Sequence, residues 1–143
     1  MAHPRMYDDD DPVLARVREV ALAFPEAVER ESHGRPTFRA GESGKVFGYF
    51  GHGQSGRPRP ASILVLAEPA EHAALLADDR FYLPSYLASA GWLGLDFAAA
   101  EVDWQEVAEL LDGSYRMVAN ARLLAVLDAT GGPARSPDSR GRT

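Results

Sequence analysis

Two strand-length runs flank a glycine-rich turn in this chain: Glu31-Ser32-His33-Gly34-Arg35-Pro36-Thr37-Phe38-Arg39, then Gly44-Lys45-Val46-Phe47-Gly48-Tyr49-Phe50. From Ala27 to Phe50 the pattern is one of short extended segments, with turns expected at Gly34-Arg35-Pro36 and Ala40-Gly41-Glu42-Ser43-Gly44. That rhythm commits the chain to a sheet. Val46, Gly48 and Phe50 alternate with Lys45, Phe47 and Tyr49, which predicts two distinct faces on the second run. Basic and aromatic side chains occupy both runs, so the same stretch is expected to offer a binding surface.

Helical signals surround it. Asp11 ahead of Pro12 marks a helix start, because Asp caps free amides and proline needs no donor at the first helical position. Val13, Val17, Val20, Ala21 and Phe24 recur on one face before Pro25. Residues 51–60, rich in Gly and Pro, are expected to form a mobile hairpin tip, and the apolar run 61–67 suits the middle of a sheet. Glu68-Pro69 opens a short helix with Ala73, Leu75 and Leu76, and Pro84 limits Phe81-Tyr82-Leu83 to an edge strand or extended segment. Residues 91–97 form a further strand, with Leu93, Leu95 and Phe97 on the core side, opposite Trp92 and Asp96. Asp103 with Glu106 fits a capping box for a helix through Trp104, Val107, Leu110 and Leu111, expected to end near Gly113. Ser114 is expected to cap a last helix using Met117, Val118, Ala121, Leu124 and Ala125. The expected organisation is a flexible N-terminus over 1–10, a single α+β domain over 11–129 and a disordered tail over 130–143.

At 143 residues and 45% hydrophobic content the chain is long enough for one domain with a substantial core. It contains no cysteine, which excludes disulfides, thiolate metal sites and a cysteine nucleophile. The N-terminal segment lacks the apolar stretch of a signal peptide and no run is long enough to span a bilayer, so a soluble, cytoplasmic protein without membrane contact is expected. The net charge of -6 disfavours nucleic acid on average, but the distribution is uneven. Residues 30–59 carry six basic and two acidic side chains, whereas residues 60–112 carry one basic and ten acidic. A single basic block therefore lies inside an otherwise acidic domain.

Several ordered motifs together resemble the MmcQ/YjbR-like family of small bacterial proteins. They are Leu22-Ala23-Phe24-Pro25-Glu26-Ala27, His33-Gly34-Arg35-Pro36-Thr37-Phe38-Arg39, Gly44-Lys45-Val46-Phe47, Tyr86 with Gly91-Trp92, and Asp103-Trp104 through Leu110-Leu111-Asp112-Gly113-Ser114-Tyr115-Arg116-Met117-Val118. The likeness spans roughly residues 12–125. It implies a CyaY-like α+β fold, an antiparallel sheet packed on helices with a helical C-terminus, in agreement with the pattern above. It also implies DNA binding through a double-wing arrangement, an implication resting on fold analogy. Two features depart from the family pattern: His33 stands where a tryptophan is frequent, and Leu87-Ala88-Ser89-Ala90 lacks the basic or amide residues common before the Gly-Trp pair. The second departure weakens the nucleic-acid implication for this chain.

The candidate nucleic-acid contacts are Arg35, Arg39, Lys45, Arg57 and Arg59 for phosphates and Tyr49 for stacking, with Phe47 and His33 nearby. The competing account is a solvated sheet face whose charges prevent edge pairing. A second partner class is a basic protein meeting the acidic region around Asp78, Asp79, Asp96, Glu101 and Asp103, and iron handling on acidic residues is suggested by the CyaY likeness alone. Ser32, His33 and Asp103 form no triad if Ser32 and His33 point to opposite faces of a strand, and no Gly-x-Ser-x-Gly elbow accompanies them. The glycines do not form a phosphate loop, since Gly44-Lys45 enters a strand. Glu68, Glu71 and His72 at helical spacing lack further specified ligands, and the run Asp8-Asp9-Asp10-Asp11 cannot converge on an ion without a looped scaffold. No catalytic residue, metal site or cofactor is assigned, and the chain is expected not to be an enzyme. Trp92, Trp104 and Tyr115 are read as core anchors, and Tyr82 and Tyr86 as lining a pocket between sheet and helices.

Overall fold

Helix α1 spans Pro12–Ala21 and begins where Asp11 accepts a hydrogen bond from the Val13 amide at 2.8 Å. Leu14, Val17 and Ala21 point inward, Phe24 continues the stripe past the helix end, and Val13 and Val20 flank it half-buried. These positions belong to a computed structural model, which describes residues 4–135. The remaining elements are β1 (Ala27–Ser32), β2 (Arg35–Ala40), β3 (Val46–Phe50), β4 (Ser62–Leu66), α2 (Pro69–Leu76), β5 (Phe81–Tyr82), β6 (Trp92–Asp96), α3 (Trp104–Val118) and α4 (Ala121–Thr130). The strands form one sheet in the order β1-β2-β3-β4-β6-β5, with every pair antiparallel. The fold is α+β, with an open sheet packed on helices and a helical C-terminus. The apolar run at β4 lies inside the sheet and Phe81–Tyr82 at its edge, both as their sequences require.

The first turn is tighter than expected. Ser32 pairs with Arg35, so His33 and Gly34 alone make the reversal, with φ values of 52° and 82°. Both central residues at positive φ suit the twist of a two-residue hairpin, and Arg35 and Pro36 belong to the strand. The alternation in β3 also breaks once. Phe38 faces Gly48 while Arg39 faces Val46, which makes Phe47 the extra residue of a β-bulge. Phe47, Gly48 and Phe50 therefore share the helix-covered face, and Val46 and Tyr49 take the other. Gly48 is needed there, because a Cβ would approach Leu111 to 3.2 Å.

Phe24, Phe47 and Tyr115 form the aromatic centre of the core, with both Phe24 and Phe47 ring centroids 5.1 Å from that of Tyr115. The Tyr115 hydroxyl donates to the Pro25 carbonyl at 2.7 Å, so its polar end is satisfied inside the protein. One expectation is corrected: α3 does not stop near Gly113 but continues to Val118, and Asn120, not Ser114, caps α4 through the Leu123 amide. Ser114 is buried, donating to the Phe47 carbonyl at 2.7 Å and accepting from the Leu66 amide at 2.9 Å. Its hydroxyl joins helix to sheet, a role that no local pattern encodes. The capping box is likewise half-formed: Asp103 caps α3, whereas Glu106 turns to Arg80 at 2.7 Å.

The face of the sheet away from these helices has its own small cluster of Leu64, Tyr82 and Trp92, with Leu66 and Leu87 against it. Gly94 makes room for it, since a Cβ would come within 2.2 Å of the Tyr82 ring. Residues 4–10, expected to be flexible, lie along the β1–β2 hairpin, where the Met6 amide donates to the Gly34 carbonyl at 2.8 Å and Tyr7 donates to Glu31 at 2.9 Å. Of the expected tail, Pro133–Arg135 makes a 3-10 turn against α3, with Gln105 donating to the Ala134 carbonyl at 2.8 Å; residues 136–143 lie outside the described residues. Among the described residues no helix is long and apolar enough to cross a membrane.

Candidate nucleic-acid interface

Strand alternation sorts the charges of β1 and β2 by face. Directly opposed residues of an antiparallel pair share a face, so Arg35 lies with Ser32, Thr37 with Arg30, and Arg39 with Val28 and Val46. Glu29 and Glu31 oppose Phe38 and Pro36 and so fall on the helix-covered side. There Arg18 holds Glu29 at 2.8 Å and Arg5 holds Glu31 at 3.3 Å. The open face of these two strands thus carries Arg30, Arg35 and Arg39 and no carboxylate. Glu42, from the β2–β3 turn, is the acid that pairs with Arg30.

The sequence-predicted contacts divide into two groups. Arg35 and Arg39 are half-buried on the open face, four strand residues or ~13 Å apart, with Tyr49 opposite Thr37 between them. The Arg39 guanidinium reaches the Gly44 carbonyl at 3.3 Å, and its Nε is buried without a partner. Tyr49 packs edge-on against Trp92, centroids 4.8 Å apart, and burial raises its phenol pKa, opposed by the Arg39 charge. Lys45 is exposed at the start of β3, and Arg57 is exposed on a tight turn closed by reciprocal Gln54–Arg57 backbone bonds of 3.0 Å.

Arg59 is different. It bonds Asp96 at 2.5 Å and Gln54 at 2.7 Å and lies 4.5 Å above the Tyr82 ring. With only 10% of its side chain exposed, it anchors the 51–61 loop to β6. That segment, expected to be a mobile tip, is further tied by Ser85 donating to the Gly53 carbonyl at 3.0 Å and by Tyr82 donating to the His52 carbonyl. Burial pushes the Tyr82 phenol up to about 12, so it is a neutral donor.

Other expectations resolve similarly. Tyr82 and Tyr86 do not line a pocket between sheet and helices; Tyr82 is buried on the open-face side and Tyr86 projects into solvent. Ser32 Oγ and His33 Nδ1 lie 3.3 Å apart, because the strand ends at Ser32 and alternation no longer applies, but Asp103 is occupied at the start of α3. Asp9 pairs with Arg18, Asp11 caps α1 and Asp8 accepts from the Asp10 amide, while His72 meets the Ala67 carbonyl at 3.0 Å. Among the described residues no three His, Asp or Glu side chains converge as metal ligands do. The acidic region is largely engaged as well: Asp78 pairs with Arg80, Asp96 with Arg59, and Asp103 with amides.

Sequence reasoning missed His52 and Ser85, both beside Arg35 at one end of the open face. His52 sat within a segment read as a tip, and Ser85 followed a proline without any motif. Burial lowers the His52 pKa, opposed by a hydrogen bond to the Ser85 backbone and reinforced by the charges of Arg35 and His33. A cavity of about 700 Å3 lies elsewhere, between α2 and α3, with Glu68, Glu71, Glu106 and Glu109 among its wall residues.

None of the curated proteins compared matches the chain. Against known protein families, residues 22–117 match the YjbR family, a stretch from just after α1 through all six strands and α2 to the last turn of α3. The match covers well over half of the chain and includes every strand of the charge-sorted face, so the protein belongs to the YjbR family.

Proposed function

We propose that this YjbR-family protein is a non-enzymatic, cytoplasmic DNA-binding protein that holds the phosphate backbone on the open face of its sheet. The observation carrying this is the segregation of charge across β1 and β2, which leaves Arg35 and Arg39 without carboxylate partners on one face. Phosphate contacts need cations that are not already neutralised. Arg35, Arg39, Lys45 and Arg57 meet that condition, and Arg59 does not. The 41–45 turn and the 51–61 loop act as the two wings, and Tyr49 offers a fixed aromatic edge between them. Anisotropy of a labelled oligonucleotide, single-stranded and duplex, measured across a salt series tests this. The expected log–log slope is roughly three, from four phosphate contacts. Absence of saturable binding at low salt would sink the proposal.

A second function is favoured by the α2–α3 groove. Its apolar floor of Leu66, Leu75 and Leu110 and its acidic rim suit a basic amphipathic segment of a protein partner. Glu68 and Glu71 are both exposed at this rim. Replacing both with Lys would abolish such an interaction and leave DNA binding unchanged or stronger.

A further inference from the structure

At the β1–β2 turn end of the open face lies a cavity of about 340 Å3 whose wall includes Ser32, His33, Arg35, Tyr49, His52 and Ser85. Eight arginines elsewhere among the described residues meet a carboxylate within ion-pair distance: Arg5, Arg16, Arg18, Arg30, Arg59, Arg80, Arg116 and Arg122. Arg35 meets none, although it is half-buried and burial opposes its charge, lowering its pKa. A desolvated cation without a counter-ion is costly unless a ligand supplies the charge. Gly51 leaves room for the guanidinium: at φ 84°, a Cβ there would stand 2.9 Å from Arg35 Nη1.

Around Arg35 stand the imidazoles of His33 and His52 and the hydroxyl of Ser32, whose Oγ lies 3.3 Å from His33 Nδ1. At the rim, Tyr86 has a positive φ of 67°. Tyr86 is 92% exposed at the mouth, available to cover a bound ring.

We propose that this cavity binds a terminal phosphate monoester and part of the nucleoside that carries it. The inference rests on the nucleic-acid function above and names its end-recognition site. A guanidinium fork, the Ser32 hydroxyl and two imidazoles exceed what a carboxylate can occupy, whereas a terminal phosphate presents three oxygens and a second charge that an internal diester lacks. Tyr49 and Tyr86 supply aromatic surfaces for the sugar or base. The monoester has two sources, the 5′ end of a strand and a free nucleotide.

The test compares single-stranded oligonucleotides of about ten nucleotides, 3′-labelled and bearing either a 5′-phosphate or a 5′-hydroxyl, with adenosine monophosphate as competitor. The full-length protein should prefer the 5′-phosphate by about tenfold, and Arg35→Ala should erase the preference while 5′-hydroxyl binding persists through Arg39, Lys45 and Arg57. Arg35→Lys, which keeps the charge and loses the fork, should fold normally and reduce the preference, guarding against an Arg35→Ala variant that misfolds. Competition by adenosine monophosphate assigns the site to free nucleotides as well, and preference without competition assigns it to strand ends. Equal affinity for the two strands overturns the inference and leaves DNA binding intact. Nucleotide binding with neither strand bound overturns DNA binding and keeps the cavity's assignment, and no binding of any probe overturns both.

Discussion

The two faces of the sheet are made by the same strands and differ in what covers them. On the helix side Phe38, Phe47 and Phe50 are fully or almost fully buried, and the acids of β1 are tied to Arg18 and Arg5. On the open side Arg35 and Arg39 lie beside Tyr49, and no helix packs over them. One face is closed by internal partners and the other leaves Arg35 and Arg39 without a carboxylate. The difference teaches that the packed core and the proposed binding surface lie on opposite sides of β2 and β3, so mutations should separate the two.

The largest effect should come from breaking the closed face. Phe47→Ala removes the ring that meets Phe24 and Tyr115 and should cost about 3–5 kcal/mol in urea denaturation, enough to unfold a domain of modest stability. A loss below about 1 kcal/mol would mean that the bulge does not lock this ring into the core. Asp96→Ala comes next. It strands Arg59 with its Nε already unpaired, and should lower stability by about 3 kcal/mol and release the 51–61 loop. Faster exchange of the Gln54 and Ser85 amides, which donate to the Arg57 and Gly53 carbonyls, is the accompanying sign, and unchanged exchange there would contradict the anchor.

Smaller effects should appear on the open side. Arg39→Ala should change stability by less than about 1 kcal/mol yet weaken oligonucleotide binding several-fold and lower the salt slope by about one. An unaltered slope would remove Arg39 from the interface. The smallest effect concerns His52, which faces Arg35, His33, the Tyr49 ring and the Ser85 backbone. Its pKa is lowered in the folded state, so the folded protein holds fewer protons than the unfolded chain. Its contribution is complete above about pH 6.5 and diminishes as pH falls below that value. Arg35→Ala should raise the His52 titration midpoint followed by NMR, and so should sulfate, an anion that does not itself titrate in this range. A midpoint indifferent to both would show that the cavity does not couple these groups.

Much of this architecture was legible in the chain because it depends on local chemistry. Asp11-Pro12 started α1, the apolar run marked β4, and Pro84 kept the preceding strand short and at the edge. The failures have a common cause. Ser114 has the chemistry of a cap, but its hydroxyl meets Phe47 and Leu66, far away in sequence, so α3 runs through it. The bulge at Phe47 reverses the apparent alternation of β3, because the ring is drawn to Phe24 and Tyr115. Of the candidate site, Arg35, Arg39, Lys45, Tyr49 and Arg57 were readable as a basic and aromatic block, whereas His52 and Ser85 join it only through the approach of two loops.

By itself, the sequence determined the strands and helices, the family, and a basic block in an acidic chain, since propensity, capping and charge are properties of neighbours. Which arginines in that block remain available was decided by the tertiary structure alone. Arg59 and Arg35 look alike in sequence, each beside a proline, yet Asp96 from β6 neutralises one, while the alternation of β1 turns Glu29 and Glu31 away from the other. A cation's freedom depends on long-range pairing, and only the assembled sheet specifies that.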